Sequence, residues 1–336
     1  MSKQVSLAQQ IPEKSAGLRL DQAAAELFTD YSRGRLQQWI KQGELTVDGQ
    51  RAKPSSRVLG GETLRIEAEL ISEGEVVPQD IPLDIIFEDE HLMVLNKPAG
   101  LVVHPAAGNW DGTLQNALLN HDAGLDTLPR SGIVHRLDKE TSGVMVVARS
   151  LKAHASLVNQ LQTRSMSRVY EAVVKGEIPP AGTIDAAIDR NPRDRKKMAV
   201  LQGGKPAISH YKLIQRLPGT SHVEVSLESG RTHQIRVHMT HIGYPIVGDP
   251  LYGRGPIRQK GMPAAAVEAI NGFPRQALHA RTLKLVHPGS DEQCVFQAPL
   301  ADDISALITT LKLAMADGLS LIHISEPTRP FTLSRM

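Results

Sequence analysis

Residues 132–148 read Gly-Ile-Val-His-Arg-Leu-Asp-Lys-Glu-Thr-Ser-Gly-Val-Met-Val-Val-Ala, and this stretch guides the interpretation of the larger part of the chain. Its last five residues are short, apolar and rich in β-branched side chains, which predicts a buried strand. The loop at 135–143 is densely charged, and such a loop beside a buried strand is a costly place for a carboxylate such as Asp138. Spacing alone leaves two interpretations open: a turn held by local side-chain hydrogen bonds, or a site where Asp138 performs chemistry.

Bulk composition narrows the class of protein. The chain has 336 residues, 41% of them hydrophobic, which is enough for two or three domains with cores of their own. A formal net charge of +2 excludes a strongly basic protein, so any nucleic-acid surface must be a local patch. The single cysteine, Cys294, excludes an internal disulfide and a multi-cysteine metal site.

The sequence also gives expectations about location and assembly. The first residues lack an apolar signal core, and no run approaches the length of a membrane span. We therefore expect a cytoplasmic protein that does not bind membranes. Because no coiled-coil pattern is present, we expect a monomer.

Residues 17–76 are predicted to form a small separate module. Ser32 is typical of a helix cap and Gly43 of a helix end, and Asp48-Gly49 predicts a tight turn. The apolar face of the predicted helix comprises Leu36, Trp39 and Ile40. Residues 77–84 are rich in acid and proline, which indicates a linker.

The segments 17–21, 32–40 and 43–49 resemble the S-four-type RNA-binding domain, a family named after a small-subunit ribosomal protein. The resemblance implies that the helix pair and its basic side chains face RNA. Acidic residues are interspersed among them, so an ordinary solvated face is the alternative interpretation. The basic residues concerned are Arg19, Arg33, Arg35 and Lys41.

Residues 85–315 are predicted to be an α+β domain with a mixed, mostly antiparallel sheet and flanking helices. The strand candidates are 92–95, 144–148, 169–174, 208–214 and 222–228, and the helix candidates are 151–162 and 232–242. Residues 319–336 do not continue the pattern, and we interpret them as a foreign or disordered tail.

Four further segments combine turn formers with chemically versatile side chains: 96–105, 168–172, 230–236 and 248–253. Together with the loop at 135–143, their order and spacing resemble the RluA-type pseudouridine synthases over nearly all of residues 85–315. The resemblance implies a pseudouridine synthase fold. It further implies an isomerase that converts specific uridines of large-subunit (23S) ribosomal RNA into pseudouridine and needs neither cofactor nor metal.

The same resemblance implies a role for each site residue. Asp138 matches the catalytic aspartate, and Arg231 matches the arginine that pairs with it. Tyr170 matches the tyrosine that packs on the target base, where its hydroxyl would help to remove the proton at carbon five. Arg136 matches a residue that enters the RNA and holds the flipped nucleotide.

Other basic residues are expected to contact RNA. The charged segment 190–197 is interpreted as a phosphate-gripping loop, with a solvated hairpin tip as the alternative. His233, His238 and His241 lie at helical spacing, and we interpret them as structural or RNA-facing because no nearby ligand completes a metal site. The expected substrate contacts in this domain are His135, Arg136, Arg193, Arg195, Lys196 and Lys197.

Three alternative functions are considered. A kinase is excluded because Leu137 interrupts the His-Arg-Asp spacing and no glycine-rich phosphate loop is present. A non-catalytic RNA-binding ribosome-assembly factor would not need Asp138, Tyr170 and Arg231 together. A synthase of the same family that acts on other ribosomal or transfer RNA uridines stays open. The expected partner is ribosomal RNA, as stem-loops or within a pre-ribosomal particle.

Overall fold

The computed structural model describes residues 3–29, 31, 33–70, 76–105, 109–253, 255–257 and 261–323. The chain divides into two compact units, Met1–Glu75 and Val76–Met336. The segment predicted to be a linker, 77–84, lies against the second unit. The side-chain amide of Asn116 donates to the carbonyl of Val77 at 2.8 Å, and the backbone N–H of Gln79 donates to the carbonyl of Asn116 at 3.1 Å. The acid- and proline-rich composition of this segment predicted a linker, but composition does not show the hydrogen bonds that the folded segment makes.

The first unit is a three-stranded antiparallel sheet with two helices. Its elements are β1 (Lys3–Gln10), α1 (Leu20–Leu27), α2 (Arg33–Gln42), β2 (Leu45–Val47) and β3 (Thr63–Leu70). The strand order is β1-β3-β2. Buried Leu36, Trp39 and Ile40 confirm the predicted apolar face of α2. The unit also includes β1, which precedes the predicted start at residue 17.

Local turn chemistry in this unit follows the sequence. Gly43 has a φ of +81° directly after α2, the left-handed conformation that glycine adopts most easily. Asp48 and Gly49 have φ values of +48° and +79°, as required by the tight turn that pairs Val47, at the end of β2, with Gln50. The predicted helix cap, Ser32, lies outside the described residues.

The second unit is built on one mixed sheet. Its strands are β4 (Ile85–Glu88), β5 (Leu92–Lys97), β6 (Ser142–Ala148), β7 (Ser167–Lys175), β8 (Ala181–Asp185), β9 (Ile188–Arg190), β10 (Met198–Val200), β11 (Ile208–Leu217), β12 (Thr220–Leu227), β13 (Leu278–Val286) and β14 (Gln293–Gln297). Its helices are α3 (Leu114–His121), α4 (Leu151–Gln162), α5 (Gln234–His241), α6 (Ala264–Gly272) and α7 (Asp302–His323). No described helix has the length and apolar content that a membrane span requires.

Within the described residues, nine strands form the main sheet in the order β4-β5-β6-β13-β7-β12-β11-β8, with β14 added to β13. Its neighbouring strands are antiparallel except β6 and β13, which run parallel. This confirms the predicted α+β class with a mostly antiparallel sheet. The five predicted strands and two predicted helices are confirmed, and α4 has the predicted bounds.

Helix α7 extends past the boundary predicted for the tail, because it runs from residue 302 to residue 323. Its buried side chains recur at helical spacing: Ile304, Leu307, Ile308 and Leu311. Residues 324–336 of the predicted tail lie outside the described residues.

The charged loop is placed at the centre of the sheet by a close backbone approach. Gly143 at the start of β6 has a φ of +117°, and its neighbour across the parallel pair is Ala280. A β-carbon at position 143 would lie well inside 3.0 Å of the Ala280 backbone. Only glycine lets these two strands meet here, and this meeting point fixes where the loop at 135–141 ends.

Substituting Gly143→Ala is expected to destabilise the protein by roughly 3 kcal/mol or more, because it adds a backbone clash to an unfavourable φ. Gly203→Ala is the matched control: its φ is +81°, and no atom lies within 4 Å of the added carbon. The control should lose only about 1 kcal/mol. Urea unfolding measures both, and equal losses would refute the close approach.

Candidate active site

The loop at 135–141 is held from one side by a buried lysine. Lys97, at the end of β5, is fully buried, and its Nζ donates to the carbonyls of Pro98, Leu101 and Lys139 at 2.7, 2.9 and 3.0 Å. Three acceptors match the three donors of an ammonium group. Burial lowers the pKa of Lys97 to about 7, although the charges of Glu140 and Asp138 oppose that effect.

An arginine holds the other side of the loop. Arg275 donates from Nη1 to the carbonyl of Glu140 at 3.0 Å, and Asp303 in α7 accepts from its Nε and Nη2 at 2.6 and 2.7 Å. The backbone N–H of Thr141 donates to the carbonyl of Asp138 at 3.0 Å and closes the turn. These contacts hold the loop through its main chain and do not involve the carboxylate of Asp138, which lines a cavity.

Asp138 is paired with Arg236. Nη1 of Arg236 donates to Oδ2 of Asp138 at 2.9 Å, and the same guanidinium donates to both oxygens of Asp249 at 2.7 and 2.9 Å. The side chains of Arg236 and Asp249 are only 5% and 0% exposed. Burial alone would lower the pKa of Arg236, but the hydrogen bonds and charges of the two carboxylates outweigh it and raise the pKa.

The predicted pairing of Asp138 with Arg231 is therefore wrong. Arg231 is exposed, and its Nε donates to the carbonyl of Pro206 at 3.2 Å. Both arginines belong to the segment 230–236, but α5 begins at Gln234, so only Arg236 is on the helix that faces Asp138. Asp249 lies in the segment 248–253, but the sequence does not show that it is buried and therefore requires a cation.

Two more residues complete this arrangement and were not predicted as site residues. His233 precedes α5 with a φ of +56°, and its Nδ1 shares a hydrogen bond of 2.8 Å with the hydroxyl of Tyr252. Its Nε2 lies 3.9 Å from Oδ2 of Asp138, and burial lowers its pKa. The Tyr252 ring lies 5.1 Å from Cζ of Arg236, within cation–π range.

A cavity of about 640 Å³ opens above Asp138. Tyr170 from β7 lines it, is 7% exposed, and has a pKa raised by burial. Arg136 is exposed at the cavity wall. The predicted residues that line the cavity are His135, Arg136, Asp138, Tyr170 and Arg231.

Two histidines of this region serve the fold. Nε2 of His135 accepts the backbone N–H of Val146 at 3.1 Å, and burial lowers the pKa of His135 to about 3, so the ring is neutral at pH 7. His238 is buried in α5 and hydrogen bonds to the hydroxyl of Ser209 and to the carbonyl of Ala186, both at 2.9 Å. Because His135 also lines the cavity, its contact with RNA stays a prediction.

The three histidines at helical spacing do not share one environment. His238 is buried, whereas His241 is exposed at the end of α5 and His233 lies beside Asp138. The described part of the chain contains no group of three or more His, Cys, Asp or Glu side chains placed to hold a metal ion.

The predicted phosphate-gripping loop is the tip of a hairpin. Residues 191–197 connect β9 and β10, which pair antiparallel. Arg193, Arg195 and Lys196 are exposed or partly exposed, and Nζ of Lys197 lies 3.7 Å from a carboxylate oxygen of Asp194. The hairpin geometry fits both interpretations of this loop, and its contact with RNA stays a prediction.

In the first unit, a buried carboxylate organises two of the predicted RNA contacts. Asp21 is fully buried, and Nε of Arg19 and Nη2 of Arg33 lie 2.9 and 2.7 Å from its oxygens. Burial opposes ionisation of Asp21, but hydrogen bonds from Arg19, Arg33 and Gln37 together outweigh it and lower its pKa. The two arginines keep 41% and 47% of their side-chain surface exposed. Lys41 is exposed, and the RNA contact predicted for Arg35 stays a prediction.

Comparison with known proteins agrees with this geometry. A family model described as RNA pseudouridylate synthase matches residues 91–241, and one described as S4 domain matches residues 18–64. A ribosomal large subunit pseudouridine synthase D of Pseudomonas aeruginosa is 53% identical over 315 residues, which cover 93% of this chain and 98% of that protein. The chain belongs to the RNA pseudouridylate synthase family. It is therefore an isomerase, and the resemblance inferred from its motifs is confirmed.

Two further comparisons extend this result. The synthase D of Escherichia coli K12 is 47% identical over 313 residues, covering 93% of this chain and 96% of that protein. The solved structure of human RNA pseudouridylate synthase domain containing 4 is 24% identical, with a TM-score of 0.54. That match covers 68% of this chain and 93% of the human chain, and it shows a shared fold.

The two arginines of segment 230–236 should behave differently when they are replaced. Arg236→Gln leaves Asp138 and Asp249 without their cation. We expect it to lower the free energy of unfolding by about 3–5 kcal/mol and to abolish pseudouridine formation. Arg231→Gln should change stability by no more than about 0.5 kcal/mol and retain turnover. Urea unfolding and product formation measure both variants. If Arg231→Gln lost more stability and turnover than Arg236→Gln, Arg231 would be the partner of Asp138.

Proposed function

We propose that this chain converts specific uridines of large-subunit ribosomal RNA into pseudouridine, with Asp138 as the catalytic carboxylate. The observation that carries the proposal is the ion pair between Asp138 and buried Arg236 at the wall of a cavity that also contains Tyr170. The choice of RNA is supported by relatives described as ribosomal large subunit pseudouridine synthase D.

The reaction breaks the bond between the sugar carbon C1′ and the uracil nitrogen N1, and then joins C1′ to carbon five of the turned base. Positive charge develops at C1′ as the first bond breaks, and a carboxylate can neutralise it or attack it. Asp138 must be ionised and correctly oriented for either role. Arg236 supports both requirements because it donates a charged hydrogen bond and is itself fixed by two bonds to Asp249.

Tyr170 suits contact with the base better than proton removal. Its ring is largely buried and lines the cavity, where it can pack on the face of uracil. Burial raises its pKa, so the phenol stays protonated at neutral pH. A protonated phenol is a poor general base. We therefore assign Tyr170 to ring packing and leave proton removal at carbon five to another acceptor.

The target nucleotide must leave its stack to enter the cavity, at a cost of a few kcal/mol. Arg136 is exposed at the cavity wall, where a guanidinium can hold the RNA while the base is flipped. Further phosphate contacts are assigned to the hairpin at 191–197 and to the arginines around Asp21. The substrate is ribosomal RNA, free or within a pre-ribosomal particle.

Asp138→Asn is expected to lower the turnover number by at least about 10³-fold while RNA affinity is retained, because the amide cannot supply negative charge at C1′. Tritium release from large-subunit ribosomal RNA of Pseudomonas aeruginosa, labelled at carbon five of uridine, measures the reaction. Filter binding measures affinity, and Asp126→Asn, which changes an exposed aspartate, is the control. Release at the wild-type rate by the Asp138 variant would refute its catalytic role.

The same assay tests the choice of RNA when small-subunit ribosomal RNA and bulk transfer RNA replace the large-subunit transcript. We expect release from the large-subunit transcript alone. Release from the other RNAs but not from this transcript would contradict the proposed substrate and leave the reaction itself in place.

The first unit is expected to contribute affinity and not chemistry. The double variant Arg33→Gln, Lys41→Gln should raise KM and reduce the slope of log KM against log salt by roughly 1.4–1.8, because each lost phosphate contact removes about 0.7–0.9. Turnover at saturating RNA should be unchanged. Lys14→Gln, which removes an exposed charge outside the predicted surface, is the control and should keep the wild-type slope.

A further inference from the structure

Arg168 lines the cavity and has a guanidinium nitrogen without a hydrogen-bond partner in the described structure. The residue is half-buried at the start of β7 and lines the same cavity as Asp138 and Tyr170. Its Nε is buried and has no hydrogen-bond partner in the described parts of the chain. A buried donor left unsatisfied costs about 1–3 kcal/mol. A ligand carbonyl that enters the cavity would give the guanidinium, which lines it, an acceptor.

The sheet directs Arg168 towards the same face as Tyr170. The two residues are separated by one position on β7, so their side chains leave the sheet on one side, roughly 7 Å apart. Their neighbours on β12 are Leu227 and Val225, which are apolar. A base packed on the Tyr170 ring would therefore have its edge within reach of the Arg168 guanidinium.

The turn before α5 leaves room for this guanidinium. A β-carbon at Gly230 would lie well inside 3.0 Å of Nη1 of Arg168. Gly230 does not have a positive φ, so its backbone conformation does not require glycine. A side chain at position 230 would displace the Arg168 guanidinium from this place.

We propose that Arg168 donates to a carbonyl oxygen of the target uracil and stabilises the negative charge that the base carries when the glycosidic bond breaks. This inference rests on the proposed function. Asp138 would meet the positive charge on the sugar side of the broken bond, and Arg168 would meet the negative charge on the base side.

The electrons of the reaction balance with this assignment. When the bond from C1′ to N1 breaks, its electron pair stays on N1 and spreads onto the carbonyl oxygens O2 and O4. Carbon five then attacks C1′ and any bond to Asp138 is released with its electron pair. The proton on carbon five passes to solvent and N1 takes one up, so neither an oxidant nor a reductant is required. Fixed donors aimed at such developing charge are a large source of catalysis.

A phosphate is the less suitable acceptor. Arg168 lines the cavity two residues from Tyr170, so a base packed on Tyr170 brings its own carbonyl oxygens towards the guanidinium. The phosphates of a nucleotide that enters base first stay near the mouth. Exposed Arg130 and Arg136 already line the cavity and can hold phosphates. The uracil carbonyls are the oxygens that reach deepest.

Arg168→Gln is expected to lower kcat by roughly 10²–10³-fold with little change in KM, the loss seen when one donor to a developing anion is removed. Arg168→Lys keeps the charge and should recover part of this loss. Arg164→Gln is the matched control, because Arg164 is exposed and pairs with Glu228 at 2.7 Å. Tritium release from the large-subunit transcript measures all variants, and thermal unfolding verifies that each is folded.

Gly230→Ala provides a second variant that keeps the charge and displaces the guanidinium. It should lower kcat in the wild-type background and have little further effect in Arg168→Gln, because the two changes remove one interaction. Additive losses, or a kcat of Arg168→Gln equal to that of Arg164→Gln, would overturn the proposal. For Arg168→Gln, an unchanged kcat together with a slope of log KM against log salt that is lower by about 0.7–0.9 than in Arg164→Gln would also overturn the proposal, because this combination marks a phosphate contact.

The two proposals fail in different ways. If the wild-type protein releases no tritium from any of these RNAs, either free or within pre-ribosomal particles, the proposed function fails. If it releases tritium and the Arg168 variants match the control, the function stands and only the role of Arg168 is overturned.

Discussion

The arrangement of the catalytic unit depends on one guanidinium shared by two carboxylates. Arg236 is almost fully buried between Asp138 and Asp249 and donates to both. Removing charges from water is costly, and the cost is recovered only where geometry and hydrogen bonding are nearly ideal. Asp249 meets this condition because it also accepts the backbone N–H groups of Leu251 and Tyr252 at 2.9 and 3.0 Å. Arg236 can therefore orient Asp138 without moving itself.

The opposite side of the site has the same rigidity, achieved through the main chain. Lys97 and Arg275 bind carbonyls of the loop that carries Asp138, and Gly143 lets the end of that loop enter the centre of the sheet. Lys97 comes from β5, Arg275 precedes β13, and its partner Asp303 belongs to α7. Elements far apart in sequence thus set the position of one carboxylate. An active site that is positioned before substrate binds does not have to be reorganised during the reaction.

The sequence predicted the parts of this structure that depend on local patterns, and the candidate site shows where such patterns stop. Strand β6 has a continuous apolar run and helix α4 has clear apolar periodicity, whereas polar His279 and Arg281 interrupt the apolar run of β13, which was not predicted. The motifs singled out Asp138 as a candidate site residue, together with the segment 230–236, which carries its partner Arg236. The predicted pairing of Asp138 with Arg231 was wrong. The identity of the partner depends on where α5 begins and on which arginine faces the buried carboxylate of Asp249. Pairing between distant residues is a property of the folded chain and is not contained in the spacing of a seven-residue motif.

Three arginine environments in this protein show how burial and pairing determine what a cation can do. Arg236 is 5% exposed and committed to two carboxylates, so it can orient Asp138 but has no free surface for RNA. Arg33 shares buried Asp21 yet keeps 47% of its side chain exposed, which leaves donors for a phosphate. Arg168 is half-buried, and its Nε has no acceptor in the described parts of the chain, which suits the ligand contact proposed for its guanidinium. The carboxylates that the fold places beside an arginine therefore decide whether it is committed to orienting them or is available for the RNA contact proposed for Arg33 and the charge stabilisation proposed for Arg168.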